Sequence, residues 1–253
     1  MRNRIVRACS VLVAGVAVSV IGLSAASMAS AATVHPGVKP AATPACGFNC
    51  FNLFSLVLGH RVIQNAYVPG DTGAGGKVGQ KVNMNFASNS HPNEDFTGAQ
   101  VGTLADFCPQ FGGSGLSRTS YVCIHYQSTF PVFEANWSPF GNESGLCVGA
   151  RMPVFSGENV TLQNCGATTS TIWVGDLNNA ITRHRRIYLP WVNGADTNFS
   201  HQLTLTVDPG TSRPMNQLKL QSLNKIGGQV PDTQQFSFFF GPANDFGPAP
   251  IPS

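Results

Sequence analysis

Leu146-Cys147-Val148-Gly149, followed by Val160-Thr161-Leu162-Gln163-Asn164-Cys165 and then Ser170-Thr171-Ile172-Trp173, carries the pattern that decides the fold. Residues 159–163 alternate polar and apolar, which puts one face of a strand on a core and the other in water. The same order recurs twice. Val62-Ile63, residues 79–84 and Asn93-Glu94-Asp95-Phe96 form an earlier unit. Leu205-Thr206-Val207, residues 215–221 and Gln234-Gln235-Phe236 form a later one. Each unit has an apolar strand, a turn, an alternating strand and a closing aromatic. Val82, Val160 and Leu218 hold the matching strand positions, at offsets of 78 and 58 residues.

Around these units the chain reads as all-β. Residues 81–86, 202–207 and 217–221 alternate in the same way, and Gly and Pro mark the turns. Helix-period segments are short, with one turn expected at Leu104-Ala105-Asp106-Phe107. Only 11% of the 253 residues are charged, too few for a coiled coil. A hydrophobic fraction of 42% argues against disorder.

The formal charge of +3 has a local origin. Arg2, Arg4 and Arg7 precede the apolar run Val11 to Leu23, and Ala29-Ser30-Ala31 is a small-x-small cleavage site, so residues 1–31 read as an export signal. Without them the chain holds twelve basic and twelve acidic residues. No net field remains to draw a nucleic acid by counterion release, and no later segment reads as a membrane span. Arg183-His184-Arg185-Arg186 is the one basic cluster left, read as a solvated loop, with an anion or partner contact as the alternative. Residues 32–45 form a flexible Ala/Pro leader, 46–241 one domain and 242–253 a Pro-rich tail.

Six cysteines remain after the signal: Cys46, Cys50, Cys108, Cys123, Cys147 and Cys165. An even number in an exported chain argues for three disulfides. Local spacing favours Cys46–Cys50, Cys108–Cys123 and Cys147–Cys165, among about 15 formal connectivities. Zinc would want two closely spaced Cys/His pairs, and only Cys46/Cys50 approaches one, so neither metal nor cofactor is expected.

The second unit resembles a repeat of the ricin-type β-trefoil lectins, in which a repeat closes on Gln-x-Trp. Ser170 to Trp173 and Gln234 to Phe236 stand at that place. The resemblance puts the family's repeat cysteines on Cys147 and Cys165. It implies a β-trefoil-like single domain with insertions, because the offsets between units are longer than such lectins use. Residues 46–53, 92–96, 137–147 and 190–194 also resemble a group of small exported actinobacterial proteins of unassigned function. The lectin resemblance implies sugar binding through an Asp just after the first repeat cysteine. That place holds Gly149 in the second unit and Val207 in the third, with Asp208 next to it, and Asn65 is the nearest replacement in the first.

No catalytic motif stands out. Gly70 to Lys77 lacks the flanking residues of a phosphate loop, and neither Gly-x-Ser-x-Gly nor His-Glu-x-x-His occurs. The six histidines have no ligand spacing. The expected function is therefore a secreted, non-enzymatic binding protein. Its candidate ligand is an extracellular glycan, held by Asn65, Tyr67, Trp137, Phe140, Trp191 and Asp208. The alternative is an adaptor subunit that binds a secreted protein partner.

Overall fold

The structure, a computed structural model, describes residues 50–58, 61–65, 76–86, 94–166, 169–183, 185–197, 202–208 and 216–240. All of them fall in the compact unit 40–253. The expected export signal, leader and tail lie outside the described residues.

Twelve strands repeat one four-strand plan three times. The first unit is β1 (Phe51–Ser55), β2 (Arg61–Asn65), β3 (Val82–Phe86) and β4 (Phe96–Thr103). The second is β5 (Pro131–Trp137), β6 (Leu146–Ala150), β7 (Val160–Asn164) and β8 (Trp173–Gly175). A small hairpin, β9 (Ile181–Arg183) and β10 (Arg186–Tyr188), comes next. The third unit is β11 (Trp191–Asn193), β12 (Leu203–Val207), β13 (Asn216–Ser222) and β14 (Phe236–Phe240).

The outer strands of the units close a ring. β4 pairs β5, β5 pairs β8, β8 pairs β11 and β14 pairs β1. Two bridges complete it, Cys50 to Thr97 between the β1 and β4 ends and Leu189 to Phe236 between the β11 and β14 ends. The inner strands make three hairpins, β2–β3, β6–β7 and β12–β13, which cap one end of the barrel. This is a β-trefoil. The matched positions 82, 160 and 218 lie at its pseudo-threefold centre. The residue before each bridges the residue after the next: Lys81 to Thr161, Asn159 to Lys219 and Gln217 to Asn83.

Phe96, Trp173 and Phe236, the expected closing aromatics, each open the fourth strand of a unit and are buried. The Trp173 indole N–H donates to Val148 O at 2.8 Å, tying the closing strand to its own hairpin.

Strands β5, β8 and β11 are buried on both faces. Phe133, Trp173 and Trp191 join the barrel core. Their neighbours Val132, Val174 and Val192 are cross-strand partners and belong to a second cluster with Leu104, Val122 and Phe130. That cluster is the underside of the insertion between β4 and β5. It contains α1 (Leu104–Phe107), as expected, and α2 (Tyr121–His125), which has no sequence signature of its own. Asp106 Oδ2 accepts from the Thr103 backbone N–H at 2.8 Å and fixes the start of α1.

Cys108–Cys123 and Cys147–Cys165 are disulfides, as expected from spacing. Cys50 is also disulfide-bonded, and its expected partner Cys46 lies outside the described residues.

The second insertion, residues 176–190, leaves β8 and returns to β11. Its root closes where the Asp176 N–H donates to Pro190 O at 2.9 Å. The fully buried Asp176 carboxylate organises that root. Oδ1 accepts from the Asn178 N–H at 3.1 Å, and Oδ2 from Asn179 Nδ2 and from Gln202 Nε2 at 3.0 Å. Tyr126 packs nearby with its hydroxyl buried beside Asp176 and Gln202. Burial and then the Asp176 charge push the Tyr126 phenol far above its ordinary value of 10.0, and burial with Asp176 and Asp196 raises Tyr121.

Two outcomes follow from these contacts. Replacing Cys108 and Cys123 with Ser opens a loop whose ends are 15 residues apart. It should lower the unfolding free energy by about 3 kcal/mol in urea titrations. Far-UV circular dichroism should keep the barrel signal, because the insertion packs outside the barrel. Tyr126 resists ionisation in the fold but ionises near pH 10.0 once unfolded. Its stabilising share is therefore intact below pH 10 and lost as pH rises beyond it. Urea midpoints measured from pH 8 to 11 should fall above pH 10 in the wild type and less steeply in Tyr126→Phe.

Candidate functional site

Two of the residues expected to hold a sugar are buried. Trp137 is 2% exposed and Trp191 3% exposed, both inside the barrel core. Each sits on an outer strand with its ring turned inward, so neither ring face is open to stack on a ligand. Gly76 packs directly against the Trp137 indole, where no Cβ fits. Trp191 lies edge-on to Phe51 and Phe238 and tilted on Phe133 at 4.7 Å. Its indole N–H is buried with no hydrogen-bond partner among the described residues. Asp208 forms an ion pair with Lys219 at 2.7 Å. Asn65 ends β2, and Phe140 lies in the short turn 139–141. Tyr67 lies outside the described residues.

Glu134, on β5 near Trp137, also has a structural role. Its Oε1 accepts from the Gly166 N–H at 3.1 Å and from the Thr171 hydroxyl at 2.6 Å. It stands beside the Cys147 and Cys165 sulfurs, but those form a disulfide and offer no thiolate to a metal. Glu94 and Asp95 are buried just before β4.

Among the described residues two concavities stand out. One, about 780 Å³, is an open depression on the first insertion, lined by Gln110, Phe111, Arg118, Ile124 and Tyr126 among others. The other, about 500 Å³, is more enclosed. It lies at the barrel end opposite the hairpin cap, where β4 and β14 finish and β5 begins. Gln100, Pro131, Phe133, Leu189, Ser237 and Phe238 form its barrel wall, and Leu177, Arg185, Arg186 and Ile187 of the second insertion form the other wall.

The aromatic floor is a consequence of the barrel. Phe133 and Phe238 project inward from β5 and β14 and pack together at 5.2 Å, with Phe51 stacked behind Phe238 at 6.3 Å. The basic wall comes from the β9–β10 hairpin, whose register pairs Arg183 with Arg186 across a two-residue turn. Arg186 lies over the Phe54 ring at 5.7 Å, a cation–π contact that holds the guanidinium against the barrel. Arg185 has φ of 63°, the one non-glycine residue in the left-handed region among the described residues. For a residue with a Cβ that conformation costs roughly 1–2 kcal/mol, and glycine would adopt it freely.

In the basic cluster read as a solvated loop, Arg183 and Arg185 are exposed, and Arg185 and Arg186 also line the cavity. Its signal in the sequence was the Arg183–Arg186 run itself. What sequence reasoning could not supply was the fold-back of the hairpin onto the barrel end, which depends on Asp176 and Pro190.

No protein-family model and no curated protein matches the chain. Among solved structures the chain is similar to a designed 3-fold symmetric protein, ThreeFoil, at 12% identity and a TM-score of 0.46, covering 75% of this chain and 96% of that one. It is also similar to a mosquitocidal holotoxin at 10% identity and a TM-score of 0.43, covering 75% of this chain and 17% of the toxin. The assignment of the fold rests on the closed strand pairing described above.

Proposed function

We propose that the chain is a secreted, non-enzymatic binding protein that holds a small ligand in the cavity at the uncapped end of its barrel. The observation that carries this reading is the cavity of about 500 Å³ between the barrel strands and the inserted hairpin. Small-molecule sites are concave, of roughly 300–1,000 Å³, mostly apolar and equipped with a few convergent polar groups. The barrel wall supplies the apolar part, and Gln100, Ser237 and the two arginines supply the polar part. Export is supported by the Arg-led apolar segment at residues 1–31 and by the disulfides, which persist in oxidising compartments. Among the described residues no helix is long and apolar enough to cross a membrane.

Carbohydrate is the ligand class that the trefoil-lectin resemblance suggests. The family's mode of sugar binding has little support here, because Gly149 and Val207 replace its Asp and both tryptophans named for stacking are in the core. A sugar ligand would instead use the barrel mouth, where the half-buried Phe238 lines the cavity.

The test is a thermal-shift screen of the purified secreted protein against mono- and oligosaccharides and small organic acids. A ligand present at a hundred times its Kd adds about 2.7 kcal/mol, which raises Tm by roughly 5–10 °C for a domain of this size. Leu177 is 50% exposed on the cavity wall, so Leu177→Trp should leave the unliganded Tm unchanged and abolish the shift by filling the mouth. The reading fails if no compound shifts Tm, or if Leu177→Trp responds as the wild type does.

A further inference from the structure

Resting on that reading of the barrel-mouth cavity, we infer that its ligand is a small anionic amphiphile: a single acidic head group on an apolar body. Arg185 and Arg186 would hold the head, and Phe133, Phe238 and Leu189 the body.

Charge is the first argument. Two guanidinium groups line this cavity, and no Asp or Glu does. Arg185 makes no ion pair or hydrogen bond among the described residues. Arg185 is exposed and Arg186 half-buried, so an anion entering beside the apolar wall meets guanidinium donors that strengthen with a charged acceptor. The guanidinium also matches a planar carboxylate, or a phosphate or sulfate, with paired donors.

Geometry is the second. Arg186 is fixed over Phe54, so one guanidinium is already positioned at the rim. Arg185 is held in a backbone conformation that favours glycine. Backbone of this kind occurs at ligand clamps as well as in two-residue hairpin turns.

Size is the third. A cavity of about 500 Å³ admits a medium-chain or bicyclic acid but not a polymer. That favours a free small molecule over the head group of a lipid still embedded in a bilayer.

Isothermal titration of the full secreted protein with decanoate, decanol and decyltrimethylammonium separates the contributions of charge and apolar body, and phosphatidylglycerol vesicles test the bilayer source. Decanoate should bind, decanol at least tenfold more weakly, and the cation not at all. Decanoate affinity should fall as salt rises. Arg185→Gly should weaken decanoate at least tenfold and leave decanol unchanged. Its Tm should be equal to or above the wild type, since glycine relieves the left-handed backbone. Equal affinity for decanoate and decanol, or unchanged decanoate binding in Arg185→Gly, overturns the inference while leaving the binding reading intact. So does a fall in Tm of Arg185→Gly that accounts for its lost affinity. Binding to vesicles without binding to decanoate overturns it in favour of a lipid surface. If neither these probes nor the wider screen yields a ligand, the binding reading falls with it.

Discussion

Three backbone carbonyls, those of Val82, Val160 and Leu218, converge on the side-chain amide of Gln217, at 3.1, 3.4 and 2.7 Å. The trefoil depends on this meeting. Where three strands from three hairpins approach one axis, no ladder can satisfy every carbonyl, and a buried carbonyl left unpaired is unfavourable. Just off the axis the backbone solves the problem itself, through the cyclic set of bridges from Lys81, Asn159 and Gln217 and the outer bonds Gly79 N–H to Leu162 O and Gly157 N–H to Leu220 O. At the centre one side chain serves all three units. The matching positions in the other two hairpins are Lys81 and Asn159, so the symmetry belongs to the backbone and is broken where one amide suffices. The closing aromatics then seal the barrel below, each buried at the start of a fourth strand.

How far the fold was legible follows from which faces of each strand are wet. β7 and β13 alternate polar and apolar, and the cap positions 82, 160 and 218 could be matched from sequence alone. The first strand of each unit could not be read this way. In β5 and β11 successive residues enter two different cores: Phe133 and Trp191 inside the barrel, Val132 and Val192 under the insertion. Burial on both faces erases the alternation. The same fact explains the misplaced binding residues. Trp191 stands between Pro190 and Val192, Trp137 ends the alternating run Phe133-Glu134-Ala135-Asn136-Trp137, and their strands carry both rings inward. The candidate site was legible only as a run of basic residues, because its other wall comes from strands far away in sequence.

Both insertions leave the fold at junctions between units, after β4 and after β8, and so at the barrel end away from the cap. The first covers the outside of β5, β8 and β11 with a second core, pinned by Cys108–Cys123 and by the Gln110 side-chain amide donating to Cys123 O. The second is anchored by the buried carboxylate of Asp176, whose hydrogen-bond partners are amide groups. Asp176 accepts three hydrogen bonds from amide groups, which satisfy its oxygens away from water. The two insertions also meet: Tyr126 of the first lies against Asp176 of the second. A disturbance in either is felt at the root of the hairpin that walls the cavity.

That arrangement bears on where a ligand belongs. A trefoil repeats its surface three times, and a site built on the repeat should recur with it. Here the repeat positions hold Gly149 and Val207, and the third repeat's nearby Asp208 is taken up by Lys219 at a half-exposed ion pair of modest worth. Several features without a threefold counterpart lie away from the repeat positions: the β9–β10 hairpin, its arginines, the left-handed Arg185 and the buried, unpartnered indole N–H of Trp191 packed behind Phe133 and Phe238. A symmetric barrel needs none of them to fold. Strain persists in a structure when surrounding contacts hold it in place, and the strained Arg185 lines this cavity. The asymmetric end is therefore the part of this protein whose residues are not accounted for by folding alone.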